Sequence, residues 1–98
     1  MNMSADELDR RSRKLVGMDD SGLRAMGWGC LAEAARDDGR LLEAIDLYGR
    51  AIAAARAARD RDEVVALLCE RADCFSDLGD HISCERDCAQ AEAVARGA

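Results

Sequence analysis

The chain has 98 residues and a formal net charge of −6, contains no proline, and has Trp28, Tyr48 and Phe75 as its only aromatic residues. This length accommodates at most one domain, with a core small enough to leave a thin stability margin. The acidic balance argues against nucleic-acid binding, which needs a concentrated cationic surface, because the short basic run Arg10, Arg11, Arg13 and Lys14 is hemmed in by Asp6, Glu7, Asp9, Asp19 and Asp20. Abundant alanine, especially across Ala51–Ala58, and the absence of proline favour helix throughout.

In chain order, Ser4 with Glu7 three residues later resembles a capping box, so the segment 1–18 predicts a short helix with thin apolar content (Leu8, Leu15, Val16) that either docks as an end cap or frays. Asp19-Asp20-Ser21-Gly22 stops that helix and supplies caps for the next. A helix is expected from Leu23 to about Arg36, followed by a break at Asp37-Asp38-Gly39, with Gly39 suited to the left-handed conformation of a helix end. The next helix is expected from about Leu41 to Arg59, another from Glu63 to Ser76, and, after Leu78-Gly79-Asp80, a last one from His81 to about Arg96. Arg59-Asp60-Arg61-Asp62 contains neither glycine nor proline and would allow one continuous helix. Asp60 with Glu63 can still form a capping pair, and a turn is the expectation there.

A shift of forty residues pairs Trp28 with Leu68, Ala32 with Ala72, Ala35 with Phe75, Gly39 with Gly79, Leu42 with Ile82, Ala44 with Cys84, Tyr48 with Cys88 and Ala51 with Ala91. A recurring helix–Gly–helix unit implies stacked hairpins, since one hairpin alone cannot bury its apolar face. Trp28, Leu31, Ala32, Ala35, Gly39, Ala44, Ile45, Tyr48, Ala51 and Ile52 resemble the tetratricopeptide repeat signature. Arg71, Ala72, Phe75, Leu78-Gly79-Asp80, Asp87, Cys88 and Ala91 are similar to a second copy. The usual unit is about 34 residues long and often ends in proline, so this chain is more similar to the long-helix variant of signalling adaptors and bacterial regulators. The resemblance implies an all-α fold of two stacked antiparallel hairpins, forming a right-handed superhelical fragment. The first repeat would span about 20–59 and the second 60–98. Ala32, Ala44, Ala51 and Ala72 are small where helices approach closely, and Trp28, Leu31, Tyr48 and Phe75 fill the gaps.

By the same resemblance, the first helix of each pair lines a concave face that binds a partner. Here Met26, Gly29, Glu33, Arg36 and Asp37 would face it from one hairpin, and Cys69, Glu70, Asp73, Ser76 and Asp77 from the other. The helical spacing of Glu33 with Asp37, and of Glu70 with Asp73 and Asp77, independently puts each set on one side. Chaperone-binding members of the family grip a carboxylate with cationic and amide side chains. The matching positions Gly29, Glu33 and Glu70 lack them, so a basic partner segment is implied. The expected function is therefore an adaptor or regulatory interaction module for a protein or peptide. The alternative is self-association, because two hairpins fall below the roughly three repeats usually needed for stability.

Cys30, Cys69, Cys74, Cys84 and Cys88 are odd in number and point to free thiols in a reducing compartment. No stretch approaches the roughly 20 apolar residues of a membrane span, and no apolar signal core opens the chain, so the cytoplasm is the expected location. His81, Cys84 and Cys88 share one helical stripe near Cys74, a donor set that suits zinc. Cys84 and Cys88 nevertheless occupy repeat positions that want small apolar side chains, and neither metal nor cofactor is expected. The lone histidine, serines without a nucleophile motif, and Gly27-Trp28-Gly29 placed inside a helix rather than in a phosphate-binding loop all argue against an enzyme.

Overall fold

The computed structural model describes residues 3–97, which form five helices: α1 (Ala5–Val16), α2 (Ser21–Asp37), α3 (Leu41–Ala57), α4 (Arg61–Asp77) and α5 (His81–Ala95). Four of them begin at a side-chain cap. Ser4, Asp20, Asp60 and Asp80 accept from the backbone N–H of Glu7, Leu23, Glu63 and Ser83, at 3.1, 2.9, 3.1 and 3.1 Å, satisfying donors that the helix itself leaves free. α3 starts after Arg40 without such a bond.

The three turns that join α2 to α5 share one hydrogen-bonded plan. At the first, Gly39 N–H donates to Arg36 O and Arg40 N–H to Ala35 O, both at 2.9 Å. Gly79 and Asp80 repeat this towards Ser76 and Phe75 at the third. These are paired closures around a left-handed residue, with φ of +78° at Gly39 and +83° at Gly79. At the middle turn Arg59 and Asp60 make the same bonds to Arg56 and Ala55, at 3.0 and 3.1 Å, but the left-handed residue is Arg59, with φ +56°. α3 therefore stops two residues short of the Arg59 expected from propensity, and the turn at Asp60 is real.

Each helix packs on its chain neighbours: α1 on α2, α2 on α3, α3 on α4 and α4 on α5. The result is two antiparallel hairpins, α2–α3 and α4–α5, stacked through α3 and α4. Ala32, Ala44, Ala51 and Ala55 are fully buried at the close approaches, and Tyr48, Leu67, Leu68 and Cys74 fill the space between them. Leu31 and Ala72 are buried as well. Trp28 packs half-buried against this core with the Arg50 guanidinium 5.2 Å from its ring centre, and Phe75 carries Arg71 at 5.9 Å.

α1 docks on α2 through a glycine. A methyl group at Gly27 would stand 2.7 Å from the Ser12 carbonyl oxygen and 2.8 and 2.9 Å from Leu15 and Val16, so only glycine allows this separation. Ser12 is buried there, its hydroxyl donating to Leu8 O at 2.8 Å. On the other side, α5 is held by an ion pair. Arg71 Nε and Nη2 donate to Asp87 Oδ2 and Oδ1, both at 2.8 Å, and Asp87 is completely buried.

Leu42 and Ile82, paired by the forty-residue shift, also match in exposure at 75% and 81%, each in the first turn of its helix, so neither belongs to the core. Among the described residues no helix is long and apolar enough to cross a membrane.

Candidate functional site: an acidic groove between α2 and α4

Where the first helices of the two hairpins face one another, they leave a groove of about 250 Å³. Gly22, Met26, Gly29 and Glu33 line it from α2, and Glu63, Leu67 and Glu70 from α4. Each set recurs at three- and four-residue steps and so shares one helix face. Gly22 and Gly29 contribute no side chain and keep the groove open, while buried Ala25, Ala55 and Leu67 give it an apolar floor. Ala58 and Asp60, from the α3–α4 turn, close one end.

Glu33, Glu63 and Glu70, with Asp60, make this groove acidic. Among the described residues, Glu33, Glu63 and Glu70 take part in no salt bridge, whereas the nearby Arg36 guanidinium pairs with Asp73 at 3.7 Å, from α2 to α4. Burial pushes the Glu70 carboxyl above its ordinary range, the negative charges of Glu33 and Glu63 push it further, and Arg36 and Tyr48 partly offset them. Like charges close together near an apolar floor disfavour ionisation, so the groove is poised to gain from an added cation.

Behind Glu70 lies a second unsatisfied group. The Tyr48 hydroxyl is buried and has no hydrogen-bond partner within bonding geometry. Its pKa is pushed up to about 12, mainly by burial and then by the charge of Glu70, with Arg36 acting in the opposite direction. Buried polar atoms without partners are uncommon and point to strain or function.

The residues expected on the concave face divide into four groups. Met26, Gly29, Glu33 and Glu70 come together in the groove. Arg36 and Asp73 form the ion pair beside it. Asp37 lines a separate hollow of about 430 Å³ between α1 and α2, with Leu8, Ala34 and Cys30, and this hollow shares Cys30 and Glu33 with the groove. Cys69, Ser76 and Asp77 are exposed and do not line the groove. Glu63 and Asp60 belong to it, although sequence reasoning gave them only capping roles. The seven-residue step from Glu63 to Glu70, one helix face, was the available signal.

The thiols have a plainer chemistry. Burial raises the pKa of Cys30, Cys69, Cys74 and Cys84, and neighbouring acidic groups raise it further. They therefore stay protonated at neutral pH, the opposite of an activated thiolate. Cys74 is a core residue. Among the described residues no set of three or more histidine, cysteine, aspartate or glutamate side chains is arranged to hold a metal ion. No protein-family model matches the chain, and no curated protein or solved structure matches it either.

Proposed function

We propose that the chain is a tetratricopeptide-like interaction module whose α2–α4 groove binds a basic segment of a partner protein. The observation that carries this reading is that Glu33, Glu63 and Glu70 line one groove without forming a salt bridge among the described residues, while Glu70 is pushed above its ordinary range first by burial and then by the charges of the other two. A lysine or arginine side chain suits this place. Its charge relieves the repulsion, and its methylene stem covers Leu67, Met26 and the small residues of the floor. The forty-residue repeat and the paired hairpins support the family likeness. A groove lined by the first helix of each hairpin is where such a module would take its ligand.

The test is calorimetric titration with a short peptide carrying several arginines and lysines, at low and at moderate salt. Binding that weakens as salt rises, and that is lost in Glu70→Lys and in Glu33→Lys, agrees with the proposal. Affinity unchanged by both substitutions would reject it.

Self-association is a second reading, favoured by the exposure of Leu78, at the end of α4, and of Ile82, in the first turn of α5. Light scattering across a dilution series separates the two readings, since a chain that is monomeric at every concentration has no obligate self-contact.

A further inference from the structure

On the other side of the α3–α4 turn from the acidic groove lies a hollow of about 300 Å³, lined by Arg56, Arg59, Arg61, Asp60, Val64 and Val94. It brings together three exposed arginines in a chain whose net charge is −6, and none of the three forms a salt bridge among the described residues. Among the described residues Asp60 is the one carboxylate lining the hollow, and its Oδ1 already accepts from Glu63 N–H at 3.1 Å. Val64 is buried and Val94 half-buried, so the floor is apolar.

Arg59 is the second, independent observation. It adopts φ +56°, whereas the helix ends at Gly39, Gly79 and Gly97 put glycine in the same conformation, with φ +78°, +83° and +81°. A left-handed backbone disfavours any residue with a β-carbon. Strained positions of this kind concentrate where a side chain is needed for function. Helix-end electrostatics accounts for Arg56, in the last turn of α3, where a cation complements the helix dipole. It does not account for arginine at a position that glycine fills at the other three.

We propose that this hollow is an anion site for a phosphate monoester. Guanidinium groups match phosphate oxygens as planar forks. Three of them beside one carboxylate leave an excess of positive charge that a group of about −1.5 to −2 at neutral pH balances, and Val64 and Val94 receive the organic part of the ester. The hollow adjoins the acidic groove through Asp60, but its arginines and valines do not line that groove.

The full chain is titrated at low salt with phenyl phosphate, inorganic phosphate and benzoate, following the backbone amides of Arg59, Arg61 and Val94 by NMR. Saturable shifts at these amides with phenyl phosphate are expected. Inorganic phosphate should bind more weakly, for want of a body to cover the valines, and benzoate more weakly still. Arg59→Gly and Arg61→Gln should each weaken phenyl phosphate binding by about tenfold or more, while the charge control Arg10→Gln leaves it within about twofold. Arg59→Gly should also unfold at a temperature no lower than the native chain, which separates lost binding from lost folding. Benzoate binding as tightly as phenyl phosphate would overturn the phosphate assignment, and equal affinity for inorganic phosphate would remove the organic ester. Full binding by a folded Arg59→Gly chain, or an Arg10→Gln loss as large as that of Arg61→Gln, would overturn the site.

Discussion

The two hairpins follow one plan but close it with different chemistry. In α2–α3, Leu31 and Leu47 line one hollow with Trp28. Forty residues on, in α4–α5, the matching positions are Arg71 and Asp87, joined by two 2.8 Å hydrogen bonds. The first hairpin is covered on both sides, by α1 and by α4, and α3 buries Ala44, Tyr48, Ala51, Ile52, Ala54 and Ala55. The second ends the array, and α5 buries only Asp87 and Ala91. An interior helix can rely on apolar area, which contributes about 25 cal/mol per Å² buried. A terminal helix has too little of that area, and here a directional, nearly enclosed ion pair fixes its register on α4. The same contrast explains why Tyr48 is enclosed while its repeat partner Cys88 is exposed: α4 covers the one, and among the described residues no helix covers the other.

The largest expected effect comes from breaking that ion pair. Asp87→Ala leaves Arg71 without its partner in a mostly enclosed place and should cost about 3 kcal/mol, read from denaturant unfolding. Converting the second hairpin to the chemistry of the first, with Arg71→Leu and Asp87→Leu together, should return the chain to within about 1 kcal/mol of its native stability. A double variant no better than Asp87→Ala would show that the hairpins are not interchangeable at these positions.

Next is the other end of the array. Gly27→Ala forces α1 away from α2 and should cost about 2 kcal/mol. Amide exchange should quicken in Ala5–Val16 while α3 and α4 stay protected. Uniform quickening would mean that α1 belongs to the core and not to a docked cap.

At the middle turn the sign reverses. Arg59→Gly restores the residue that the neighbouring turns use and should stabilise the chain by about 1 kcal/mol, visible as a higher thermal midpoint. The smallest effect belongs to the groove. Glu70→Gln removes a crowded charge and should stabilise the chain at neutral pH by about 0.5 kcal/mol, discounted for solvent screening. The native Glu70 has a folded-state pKa raised above its unfolded value, so the folded chain holds the extra proton. Its penalty is therefore present above the folded pKa, falls as pH drops through that value, and is gone below the ordinary glutamate range. The Gln variant should show its advantage at neutral pH and lose it under acid.

Much of this architecture is legible in the residues. Gly39 and Gly79 mark two bends, Ser4, Asp20, Asp60 and Asp80 mark four helix starts, and the forty-residue shift reveals the duplication. What escapes notice does so for physical reasons. Arg59 carries no local sign of a left-handed conformation, and only its place twenty residues after Gly39 and twenty before Gly79 betrays it. Gly27 reads as an interior helix glycine, since its meaning depends on a helix that arrives from elsewhere. Arg71 and Asp87 are legible as part of the second repeat copy, but nothing in their spacing shows that they bond to each other. The exposure of Leu42 and Ile82 defeats a pattern argument, because apolar matching reports similarity between repeats and not the direction a side chain takes. In the groove, Glu33 and Glu70 follow from the repeat alignment, while Glu63 is hidden by its position in a capping turn.

The claim that the acidic groove is a binding surface is tested most directly by mapping. Amide spectra recorded while a lysine- and arginine-rich peptide is added should show saturable shifts clustered at Met26, Glu33, Glu63 and Glu70, fading as salt is raised. Shifts spread evenly over the acidic surface, or centred on α5 with these four residues unmoved, would contradict it.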